Sequence, residues 1–124
     1  MVSPTISSAK HTNLSMSNWV NMVAGVRRRT LASGDTMMQM IVTLEAGSQL
    51  PEHQHPHEQV TYVLTGKVRF KLDGGAETRD LSAGESIYLP ASLPHGVEAL
   101  EAASVLDTFS PPREDLLAQD RQQG

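Results

Sequence analysis

Three histidines, two glutamates and two glutamines fall within residues 51–60, PEHQHPHEQV, of a 124-residue chain with five histidines in all. His53 and His55 are two apart. On a β-strand, side chains at i and i+2 share a face, about 7 Å apart along the backbone, and two such imidazoles can converge on one ion. His57 and Gln59 keep that parity if the strand stays regular, but Pro56 favours a bend. His95, in LPASLPHG, can add a ligand from a separate strand. Imidazoles with oxygen partners suit divalent Fe, Mn, Co, Ni, Cu or Zn.

Those ligands need a scaffold, and the rest of the chain describes one. Its length fits one domain with its own core. There are no cysteines, which excludes disulfides and thiolate metal sites. The formal charge of −4 argues against nucleic acid as a partner. No run approaches the ~18 apolar residues of a membrane span, and no charged start with an apolar run marks a signal peptide, so the cytoplasm is the expected location. Residues 1–17 read as a flexible arm, 18–117 as the folded domain and 118–124 as a flexible tail. Short β-branched or alternating segments, punctuated by Gly, Pro and Asp, predict an antiparallel all-β sandwich or barrel. Turns are expected at Thr65–Gly66 and Asp73–Gly75. PPREDLLAQDRQQ is the one helical candidate, with Pro112 as its first residue.

The spacing runs Gly47, five residues, His53, one, His55, three, Gln59, six, Gly66; then Gly84, five, Pro90, four, His95. This pattern resembles the two motifs of the cupin superfamily, in order, across Trp19 to Arg113. Three positions depart: Gln59 stands for glutamate, Ser92 for a glycine and Ala99 for an asparagine. The resemblance implies a double-stranded β-helix, a jelly-roll barrel with a short C-terminal helix. It also implies one divalent metal ion held by His53, His55, Gln59 and His95. A neutral amide at 59 leaves the ion's charge uncompensated, which sharpens it as a Lewis acid for an anionic ligand. Glu58 is the rival ligand, on the opposite strand face. His57 is expected at the rim.

A second group lies in SVLDTFSPPRED. Val105, Asp107 and Phe109 share a strand face. If that face lines the barrel, burial raises the Asp107 pKa and makes it a proton shuttle. Arg113 can hold a carboxylate in a bidentate fork, or pair with Glu114 or Asp115. WVNMVAGVRRRTL, HPHEQVTYVLTG, GESIYLPASLPHG and LDTFSPPRED together resemble the KdgF-like pectin- and alginate-degradation cupins. That resemblance implies conversion of 4,5-unsaturated uronates to linear ketonised sugar acids. It implies Asp107 as acid/base, Phe109 packing against the sugar and Arg113 on the substrate carboxylate. The competing readings are a metal-dependent dioxygenase and a non-catalytic sugar- or metabolite-binding cupin. The resemblance further implies a homodimer.

Elsewhere, Arg27–Arg29 read as a solvated face or partner contacts, with Arg28 opposite its neighbours. Met37, Met38 and Met40 are expected to fill core or interface gaps. Tyr62 and Tyr88 are expected in the core. Trp19 is expected to anchor the first strand.

Overall fold

The computed structural model describes residues 8–123. Among them are ten strands: β1 Val20–Val23, β2 Val26–Ser33, β3 Met38–Leu44, β4 Gln49–His53, β5 Glu58–Thr65, β6 Lys67–Leu72, β7 Glu77–Ser82, β8 Ser86–Leu89, β9 His95–Ala99 and β10 Ala103–Ser110. A helix, α1, spans Glu114–Gln123. Two antiparallel sheets face each other, in the orders β1-β2-β3-β10-β5-β8 and β4-β9-β6-β7. This is the expected jelly roll.

Alternation builds the core. Met38, Met40, Val42 and Leu44 of β3 point inward, and Ala103, Val105, Asp107 and Phe109 of β10 do the same. The second sheet answers with Val68, Phe70, Leu72, Val97 and Ala99. Gly66 turns β5 into β6 at φ 80°, and a Cβ there would stand 2.0 Å from the Ala102 carbonyl oxygen, so no side chain fits.

The segment before β1 is tied to β2. Lys10 Nζ donates to the Ser33 carbonyl (3.1 Å) and Ser17 Oγ to that of Thr30 (2.7 Å); residues 1–7 of the expected arm lie outside the described residues. Trp19 is half-buried, with the Arg27 and Arg29 guanidiniums 4.5 and 5.2 Å from its ring.

Several expectations are corrected. Arg28 is neither solvated nor a partner contact. It is fully buried, and it donates to Asp120 Oδ1 (2.9 Å), Gln119 Oε1 (3.0 Å) and the Leu116 carbonyl (3.1 Å). α1 offsets part of the cost of burial by bringing acceptors to both terminal nitrogens of the guanidinium, while Nε is left without a partner. Those partners carry α1 through residues 118–123 and pack it on β2. The helix begins at Glu114 rather than Pro112. Tyr62 and Tyr88 point outward, 40 % and 56 % exposed, because β5 and β8 bury the opposite parity. Met38 and Met40 are core residues, whereas Met37 is exposed. No helix among the described residues is long and apolar enough to cross a membrane.

Candidate metal centre

Register brings distant residues to one end of the barrel. His53 ends β4 and pairs directly with His95, which begins β9. β5 presents Gln59 and Thr61 inward, and these pair with Phe109 and Asp107 of β10. β4 stops at His53, so His55 sits in the bend at Pro56 rather than on a strand. It is fixed instead by the Ser92 amide, which donates to its carbonyl (2.8 Å).

One ring nitrogen from each of His53, His55 and His95 lies within 4.8 Å of the others. The ring centroids are 4.3 Å apart for His53–His95, 5.1 Å for His55–His95 and 5.7 Å for His53–His55. Two rings are oriented by backbone: His53 Nδ1 donates to the Pro51 carbonyl (3.0 Å) and His95 Nδ1 to that of Leu93 (2.8 Å). Each is thereby left with a lone pair on Nε2. His95 Nε2 is buried and has no partner, and the same holds for His55 Nδ1. Buried nitrogens without partners are costly unless something binds them. His55 Nε2 lies 3.0 Å from Gln59 Oε1, which puts the amide oxygen beside the cluster. Glu58 is exposed and accepts from the Tyr88 hydroxyl, away from the site.

Electrostatics favour the neutral form of His55 and His95. Burial, then the Arg113 charge and the neighbouring rings, push His55 down to about 4. Burial lowers His95, and burial and then the Arg113 charge lower the half-buried His57 at the rim. Neutral imidazoles and an amide oxygen are the donors a divalent transition metal accepts. The residues therefore fit such an ion.

Behind the cluster, Gln59 Nε2 donates to Thr61 Oγ1 (3.0 Å), and Thr61 Oγ1 donates to Asp107 Oδ1 (2.6 Å). Burial raises the Asp107 carboxyl to about 6, against the lowering effect of these hydrogen bonds and of Arg113. Thr61 was absent from the expected site. Its only signal is strand parity with Gln59, because an inward threonine otherwise resembles core. Phe109, expected against a sugar, is 1 % exposed. Its ring meets His55 edge-on at 5.6 Å and lies 5.2 Å beneath the Arg113 guanidinium. It thus links the histidines to the arginine. Arg113 lines the cavity, and its fork is held by Asp115 (Nε–Oδ1 3.1 Å, Nη2–Oδ2 2.9 Å).

The cavity lined by His53, Gln59, His95, Asp107, Phe109 and Arg113 measures about 60 Å³. That holds an ion and a few waters, not a sugar ring. A wider open groove of about 530 Å³ near Arg27, Glu45 and Ser104 contains no histidine.

The chain's similarities agree with this geometry. The model of the cupin domain matches residues 40–109. The pectin degradation protein KdgF of Dickeya dadantii is 35 % identical over 101 residues, covering 80 % of this chain and 90 % of that protein. The structure of KdgF from Halomonas sp. superposes with a TM-score of 0.79 at 32 % identity, covering 86 % of this chain and 99 % of the other. An RmlC-like cupin from Shewanella frigidimarina also reaches 0.79, at 28 % identity, covering 88 % and 96 %. This chain belongs to the cupins, and within them to the KdgF-like group.

Proposed function

We propose that this protein opens and ketonises 4,5-unsaturated uronates at a divalent ion held by His53, His55, Gln59 and His95. A buried carboxyl linked to the histidine cluster, Asp107 through Thr61 and Gln59, carries the reading. The likeness to KdgF, a pectin degradation protein, supports the substrate class. The ion, when bound, would polarise oxygens of the anionic sugar as a Lewis acid.

The chain's own residues supply the rest. The cavity is too small for the ring, so the sugar sits at the mouth, beside Arg113 and His57. Arg113 holds the carboxylate and fixes the pose. Phe109 supports that arginine from beneath. Asp107, raised towards neutrality by burial, accepts and returns a proton directly or through one water. The net change balances without redox chemistry. The ring C–O bond breaks, its oxygen becomes the C5 carbonyl, and one proton moves from the anomeric hydroxyl to C4.

The exposed row Val60, Tyr62, Leu64 and Tyr88 on β5 and β8 supports the association of two copies. The cytoplasm remains the location we propose.

Loss of the enol-acid absorbance of an unsaturated uronate, followed with metal-loaded protein, tests the activity. Asp107→Asn is expected to keep its metal and lose about 100-fold or more in rate. An unchanged rate removes Asp107 from the mechanism. Oxygen uptake in step with turnover would replace the reading with an oxygenase.

A further inference from the structure

We infer that Asp115 is a built-in competitor for Arg113, occupying the fork that a ligand's carboxylate would take and so setting the affinity of the site for acids. The inference rests on the proposed uronate reading only in naming the ligand; the exchange of one carboxylate for another at Arg113 stands on geometry.

The two partners are unequally placed. The Arg113 side chain is 13 % exposed, sits over the Phe109 ring and lines the cavity that His53, Gln59 and His95 share. Its position is set by its neighbours. The Asp115 side chain is 59 % exposed and lies in the first turn of α1. It can leave the fork for water at little cost. Both of its oxygens face Arg113, one on Nε and one on Nη2, which is the side-on geometry of a carboxylate guest.

Arg28 contrasts with this. It is fully buried and bonded to Asp120, Gln119 and the Leu116 carbonyl, so it is fixed by α1. Among the described residues Arg113 has one side-chain partner for its fork, and that partner is exposed. An incoming acid must displace Asp115, so a bare carboxylate gains almost nothing. A ligand that also reaches the histidine cluster gains the difference. Asp115 thereby raises the threshold for every acid alike, and an acid carrying further oxygen ligands, such as a uronate, has other contacts with which to meet it.

Partly exposed ion pairs of this kind are worth ~0.2–1 kcal/mol, which corresponds to about 1.5- to fivefold in affinity. The test titrates zinc-loaded full-length protein with acetate and, separately, with the saturated acid galacturonate, following the Arg113 Nε–H resonance. In Asp115→Asn both probes are expected to act at about 1.5- to fivefold lower concentration than in the wild type. Glu114→Gln removes the same charge from the same helical turn and is expected to match the wild type. In the double variant Arg113→Gln/Asp115→Asn, calorimetry is expected to show no gain for galacturonate. If Asp115→Asn and Glu114→Gln shift alike, or if the gain survives the loss of Arg113, the inference falls. If acetate shows the gain but galacturonate binds no better than acetate, the exchange at Arg113 stands and the uronate reading fails.

Discussion

The same strands build two unlike halves of one barrel. Towards the mouth, β5 offers Gln59 and Thr61, β10 offers Phe109 and Asp107, and β9 offers His95. Two to four residues farther along, the same strands offer Val63, Val105, Val97 and Ala99. Val63 and Val68 are completely buried. Four buried side-chain nitrogens among the described residues lack a partner, and three of them are on His55, His57 and His95 at the mouth. Each such atom costs about 1–3 kcal/mol. The apolar half therefore holds the fold, and the polar half is held against its own preference in a geometry useful to a ligand.

Substitutions should separate the halves, and the largest effect belongs to the apolar one. Phe70 is 1 % exposed on β6. Phe70→Ala is expected to cost about 3–5 kcal/mol in urea unfolding. His95→Ala is expected to cost the metal-free protein much less than Phe70→Ala, because the lost hydrogen bond to Leu93 and the space left by the ring are offset by removal of a buried, unpartnered nitrogen. It should weaken metal binding by about 100-fold or more, given that outer-shell partners alone contribute 10–100-fold. Metal analysis after dialysis reads the second effect. A His95→Ala protein that unfolds as readily as Phe70→Ala would erase the distinction between the halves.

Asp107 tests the same division with pH as the variable. An aspartate carboxyl in the unfolded chain titrates near 3.8, and in the fold it is pushed up to about 6. The folded state therefore holds the proton more tightly. Below the lower value both states are protonated and the group costs nothing. Between the two values folded stability falls as pH rises. Above about pH 6 the buried carboxylate lowers stability by about 3 kcal/mol, at ~1.4 kcal/mol per pKa unit. In chelator-treated protein, Asp107→Asn is expected to be more stable than the wild type by up to that amount near pH 7.5. The gain should disappear near pH 4. An equal difference at both pH values would mean that the asparagine repacks the site and that the charge is not the cause.

How far the sequence revealed the site depended on distance along the chain. His53, His55 and Gln59 were legible because motif spacing acts within a few residues; strand parity did not place His55, which lies in the bend after β4, but it did separate Gln59 from Glu58. His95 became legible through the second motif. Arg28 was set opposite its neighbours but read as solvated, because its partners lie about 90 residues away on α1 and no local pattern announces them. Tyr62 and Tyr88 were misplaced because an aromatic on a strand does not reveal which face the second sheet covers. The stacking of Arg113 on Phe109 follows from the turn after β10, which composition alone does not define. Thr61 was hidden by its ordinariness: only the polar neighbours on either side distinguish it from a core threonine.

The smallest expected effect lies where the two motifs touch. Ser92 takes the place of a family glycine, and its φ is 65°, in the left-handed region. A β-carbon there costs about 1–2 kcal/mol. Glycine would remove that cost and add about 0.4–1 kcal/mol of unfolded-chain entropy. Ser92→Gly is therefore expected to stabilise the protein by roughly 0.5–1 kcal/mol. The backbone amide that holds the His55 carbonyl is common to both residues, so metal affinity should not change. A loss of stability in this variant would mean that the serine side chain contributes more than its backbone strain removes. A change in metal affinity would mean that the bend at 92 also sets where His55 points, which would join the two halves that the other substitutions keep apart.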